Sequence, residues 1–177
     1  MPTIEEIKKL IDYSVDVKTL KAVCDKHTSD SDLQPGSPMW GGKTTFPDGT
    51  QVTWCHRGAV RVLIELGYDP TMLYYKNSID WSMVPYMFDK AVELSKGVFS
   101  KTGVREVTAE MAFHMATFGC PCLVLSREGY GHAAVTYDEP DLVWNVGSKF
   151  NMGVMSLFDA FLKWKCKPRF FQLRKKT

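Results

Sequence analysis

Apolar positions recur at helical spacing through the first two thirds of the chain and then run in short blocks between turn residues. Ile4, Ile7, Leu10 and Ile11 share one face of a helix over 3–12, and Val17, Leu20, Val23 and Cys24 share one over 17–26. HTSDSDLQPGSPMWGGKT then breaks the pattern with Ser, Asp, Pro and Gly and reads as a loop. Loops of that length in a small domain are often functional. In TTFPDGTQVTW a Pro-Asp-Gly turn separates two β-prone pieces, which predicts a small hairpin.

The broadest apolar face follows, in TWCHRGAVRVLIELGYD. Ala59, Val60, Val62, Leu63, Ile64 and Leu66 mark a central helix that stops at Gly67, so Cys55 falls in its first turn. A further helix is predicted over 84–96, with Pro85 in its first turn. Thr108 caps another that Gly119 ends. After that, CPCLVLS (120–126) reads as a buried strand, HAAVTY (132–137) and LVWNVG (142–147) as a hairpin, and RFFQL (169–173) as a last strand. Ser156 opens SLFDAFLKW with Asp159 three residues on, a capping-box arrangement. Helices followed by a mostly antiparallel sheet define the fold class as α+β.

Composition adds bounds. With 177 residues and 45% hydrophobic content, the chain suits a single domain with its own core. A formal charge of +2 favours no nucleic-acid partner. The basic residues from Lys163 to Lys176 read as a solvated edge strand and tail, the alternative being a contact with an anionic surface. MPTIEEIKKLIDYSVD is charged and amphipathic, so neither a secretory signal nor stable membrane insertion is expected. Five Cys without a CxxC pair argue against a disulfide scaffold. Cys120, Cys122 and His114 lack the fourth ligand and the spacing of a zinc site, so no metal is expected.

Cys55 is the candidate with chemistry. A helix start favours negative charge, which lowers a thiol's pKa, and its free N–H groups can hold an oxyanion. The alternative is a small core residue. A nucleophilic Cys needs a base, and the base an orienting group. Pairing Tyr137 with Leu142 in the hairpin places Ala134 opposite Asn145, so His132 and Asn145 become diagonal neighbours on one face. The Asn145 carbonyl can then accept from one imidazole nitrogen and leave the other for the thiol. Gln51 is a candidate second oxyanion donor. Trp54, Trp40 and Tyr130 are candidate cleft walls. His56 points about 100° away from Cys55 around the helix, where it either lines the cleft or is solvated. His27 falls in a polar loop, and His114 is partly buried mid-helix.

TWCHRGAVRVLIELGYD together with the segment from AEMAFHMATFGCPCLVLSREGYGHAAVTYDEP to the Phe- and Leu-rich stretch after Ser156 resembles papain-like cell-wall amidohydrolases of the CHAP and NlpC type, including small bacteriophage endolysins. In that family a Cys begins a helix, a Gly-His strand supplies the base, and a polar residue on the next strand orients it. The matching positions here are Cys55, His132 and Asn145, and the resemblance covers about residues 50–165. It departs at His56, where many relatives carry Asn, and at Asn145, where some use Glu or His. The implied organisation is an N-terminal helical and loop extension over 1–45 and a papain-like core over 46–177. The implied reaction is hydrolysis of an amide in peptidoglycan, at muramoyl-L-alanine or within the stem peptide or cross-bridge, by a monomer that needs no cofactor. An enzyme made in the cytoplasm without a signal is expected to act on the wall as an endolysin, the alternative being an injected amidase toxin. A Cys hydrolase with a non-wall substrate and a non-catalytic binding module are the competing expectations.

Overall fold

Thr3 starts the first helix through a reciprocal capping box, its hydroxyl accepting from the Glu6 N–H while the Glu6 carboxylate accepts from the Thr3 N–H. The computed structural model describes residues 1–147 and 152–177. Helix α1 spans Ile4–Leu10 and buries Ile7, with Ile4 left in solvent. Helix α2 spans Val17–Thr28 under an Asp16 cap. It runs two residues beyond the apolar pattern, so His27 lies in its last turn and is buried, not in a polar loop. The cause is local charge. His27 Nδ1 faces Asp30 at 2.6 Å, Nε2 faces Glu65 at 2.5 Å, and Arg61 ties in both Asp30 and Asp32.

The central helix α3 is Cys55–Glu65, followed by α4 (Val84–Ser95), α5 (Phe99–Thr102), β1 (Val104–Val107) and α6 (Ala109–Thr117). The strands β2 (Leu123–Ser126), β3 (His132–Thr136), β4 (Leu142–Val146), β5 (Met152–Ser156) and β6 (Arg169–Leu173) complete an antiparallel sheet in the order β1-β6-β2-β3-β4-β5. Helix α7 is one turn, Leu157–Ala160, capped by Ser156 and succeeded by a 3₁₀ turn. The architecture is α+β. Strands β1 and β5 are additions to the elements predicted from pattern. The last strand is corrected from edge to interior: β6 pairs with both β1 and β2 and is buried beyond Arg169. Its basic flanks are paired, Arg169 with Glu106 and Arg174 with Asp69.

All of β2, and all but the first residue of β3, β4 and β6, are buried, so helices cover both faces of the sheet's centre. Helix α3 lies across β3 and β4, α4 packs on β1 and β2, and α6 packs on β6. The N-terminal segment joins the same core. Helix α1 rests on α6, the Val15 N–H donates to the Gly119 carbonyl at 2.9 Å, and Trp144 Nε1 donates to Thr28 Oγ1 at 3.0 Å. Among the described residues no helix is long and apolar enough to cross a membrane.

Candidate active site

The close approach of α3 to the sheet positions Cys55. Gly58 sits one turn after it; a Cβ there would come within 2.5 Å of Val146 Cγ2 and 3.4 Å of the Trp144 ring. Only Gly lets the first turn of α3 settle this deep on β4. Trp54 occupies the N-cap without a side-chain cap bond, so the first N–H groups of α3 are not consumed by a capping side chain. The Cys55 thiol is met by the N–H groups of Ala133, His56 and Cys55 itself and by the Thr53 side chain. Sequence position alone predicts a lowered thiol pKa. Instead, burial dominates these hydrogen bonds and pushes Cys55 up to about 11. The resting thiol is therefore protonated.

The hairpin places an imidazole, His132, next to Ala133 in the strand that the thiol meets. Ala134 pairs with Asn145, the register that the turn count requires. His132 Nε2 lies 3.0 Å from Asn145 Oδ1. Asn145 is fully buried, and its Nδ2 donates to the Gly153 carbonyl at 3.3 Å, which leaves Oδ1 for the imidazole. Nε2 thus carries the hydrogen, and Nδ1 keeps a lone pair for proton transfer. The ring packs at 4.8 Å from that of Phe161. Gly131, at φ +78, presses against Val84 and Pro85 at the start of α4 and fixes the entry into β3. Cys55 meets the backbone of Ala133 and His132 stands next to it in the strand, but no hydrogen bond joins thiol and imidazole among the described residues. Such bonds commonly tighten only when substrate binds.

Trp54, Cys55 and His56 line a cavity of about 30 Å³, together with Tyr130 and Gly131. That volume holds about two waters. Phe46, from the hairpin before α3, stacks on Tyr130 at 4.0 Å and forms part of its wall. His56 is 5% exposed, which settles its two expected positions in favour of the cleft; Trp54 and the segment through Ile79 and Met83 cover the first turn of α3. Gln51 is corrected: it is exposed, absent from the cavity lining, and its amide lies over Gly36. The twist of the short hairpin carries it away. Trp40 is also not a wall; it is 46% exposed and packs on Trp81. Gly58 is the site residue that the sequence reading misses. A Gly in the interior of the most apolar helix, three residues after Cys55, was the available signal of close approach. Cys120 and Cys122 are buried, and Cys120 lies against the Tyr68 hydroxyl.

Burial lowers both site imidazoles from 6.5 to about 4. The unfolded chain therefore binds more protons than the folded chain between those values, and stability falls as pH drops from 6.5 toward 4. Each ring contributes roughly 3 kcal/mol at full protonation, less for the partly exposed His132. The raised Cys55 acts at the other end, where its stabilisation is lost as pH rises from 9 through 11. Urea midpoints should drop steeply from about pH 6.5 to about 4.5, and less so in His56→Phe. A level midpoint across that window contradicts burial of neutral imidazoles.

No family model, no curated protein and no solved structure matches the chain.

Proposed function

We propose that the chain is a papain-like cysteine amidohydrolase that cleaves an amide of bacterial peptidoglycan. One observation carries the reading. A thiol at the start of a buried helix faces the strand of an imidazole whose far nitrogen is held 3.0 Å from an Asn carbonyl. The resemblance of TWCHRGAVRVLIELGYD and the Gly-His strand to wall amidohydrolases supplies the substrate class.

The chemistry follows from the groups present. His132 Nδ1 takes the Cys55 proton, and the sulfur attacks the amide carbonyl carbon. N–H groups at the start of α3 hold the oxygen of the tetrahedral adduct. The imidazolium returns its proton to the leaving nitrogen, the C–N bond breaks, and an amine departs from a thioester. Water, deprotonated by the same imidazole, then releases a carboxylate and restores the thiol. Asn145 keeps the tautomer correct throughout and stabilises the imidazolium.

Mass spectrometry of purified muropeptides after digestion tests the reading. New amine and carboxyl ends are expected with the wild type and not with Cys55→Ala, and their position identifies the bond. Identical products from the two proteins would overturn it. Hydrolysis confined to non-wall peptides would keep the cysteine mechanism and remove the wall.

A further inference from the structure

The mechanism employs Cys55, His132 and Asn145 and leaves two buried polar groups beside the thiol without a task. Trp54 and His56 flank Cys55 in the chain, are 4% and 5% exposed, and line the same cavity. Among the described residues, Trp54 Nε1 and His56 Nε2 have no hydrogen-bond partner. A buried polar atom without a partner is costly to the fold. Two of them on one small cavity, next to the reacting sulfur, mark a place where a ligand completes what the fold leaves open.

Their chemistry differs. An indole nitrogen only donates. The Ile79 carbonyl faces the His56 ring, and Nε2 is the buried nitrogen without a partner; the tautomer that matches this arrangement directs Nδ1–H at that carbonyl. Nε2 is left as an acceptor, in a ring that burial keeps neutral. The remaining walls include Met39, Phe46, Val52 and Met83. Arg57 is turned outward, 3.2 Å from Asp80 and over the Trp54 ring, and does not line the cavity. A carboxylate entering here would have to draw Arg57 away from Asp80 and would meet one acceptor too many. A neutral group with both a carbonyl and an N–H matches the pair.

We propose that Trp54 and His56 form a subsite for one neutral amide group, the indole N–H donating to its oxygen and its own N–H donating to His56 Nε2. The enzyme then selects substrates that carry a second amide beside the one presented to Cys55, a conclusion that rests on the cysteine mechanism above.

Two measurements test the subsite. In the first, ¹⁵N-labelled Cys55→Ala protein is titrated with acetamide, acetate and methanol while the Trp54 indole and His56 ring resonances are followed. Acetamide should move both, acetate neither, and methanol less than acetamide. No movement with acetamide, which leaves ordered water as the occupant, or equal movement with methanol, overturns the subsite. In the second, the wild type cleaves a two-amide peptide and its analogue with the second amide replaced by an ester. A preference of about tenfold for the amide is expected, the rate equivalent of one hydrogen bond. It should vanish in His56→Phe; Trp54→Phe, which removes the N–H and keeps the ring, should weaken cleavage of both substrates alike. Cleavage without preference overturns the subsite and spares Cys55. Shifts with acetamide but no cleavage of any amide overturn the cysteine reading and spare the subsite.

Discussion

His132→Gln is expected to lower kcat/KM for the cleaved amide by about 10²–10⁴-fold, the usual worth of a positioned general acid and base. The size follows from the state of the pair. Burial raises the Cys55 thiol to about 11 and lowers the imidazole to about 4, so the resting groups are both neutral and no preformed ion pair is available. On the proposed mechanism, proton transfer occurs on the way to the tetrahedral adduct, with His132 as the acceptor. Gln keeps comparable volume and a polar end that Asn145 can still bind, so the fold should survive. Asn145→Ala should cost less, about tenfold, because it removes one neutral hydrogen bond from the ring. It should also shift the acid limb of the pH–rate profile, which a merely structural residue would leave in place. Rates on the amide identified by mass spectrometry, with melting curves as the control for folding, decide the matter. Wild-type turnover in His132→Gln would remove the imidazole from the reaction.

The neighbourhood of Cys55, His132 and Asn145 is legible because the information lies in short-range pattern. Two short apolar runs joined by Asp138-Glu139-Pro140-Asp141 suggest a tight hairpin, and pairing Tyr137 with Leu142 puts Ala134 opposite Asn145 by counting. Asp141 at φ 60, and the Tyr137 N–H donating to the Leu142 carbonyl, close that turn as counted. The helix start at Cys55 was equally local: an apolar face that begins after Thr53 and stops at Gly67.

What escaped reading is decided by partners far away in the chain. VREV becomes β1 because Phe170–Leu173 supplies its hydrogen bonds and Gln172 receives Arg105; four residues, two of them charged, carry no strand signal of their own. MGVMS pairs with β4 despite Gly153 and without clean alternation. A wheel turns His56 away from Cys55, yet the direction it turns is covered by Ile79 and Trp54, which no spacing within the helix reveals. Gln51 failed for the converse reason. Four residues of sequence separation brought it near Cys55 on paper, while a hairpin held by the Thr45–Gln51 bridge sends its side chain outward.

Gly119→Ala should unfold the protein or lower its stability by at least about 3 kcal/mol, more than any surface substitution. Two independent terms add. Gly119 closes α6 at φ +79, a left-handed conformation in which a Cβ is strained. A Cβ at this position would also overlap the Val15 carbonyl oxygen, which is backbone and cannot rotate aside. The Val15 N–H bonds to the Gly119 carbonyl, so relieving the overlap breaks the link that anchors the N-terminal helices to the sheet layer. Tyr13 and Tyr68 share that junction. Tyr68 donates to the Tyr13 carbonyl, and Tyr13 donates to Leu66 at the end of α3. Displacement of residues 13–15 therefore reaches the far end of the helix whose first turn holds Cys55. Gly129→Ala supplies the control, because it also has positive φ but no atom within 4 Å of an added Cβ; it should lose only about 1 kcal/mol. Urea unfolding of the two variants measures the difference. Equal losses would mean that strain at φ alone sets the penalty, and that the Val15 contact is not what secures the N-terminal segment.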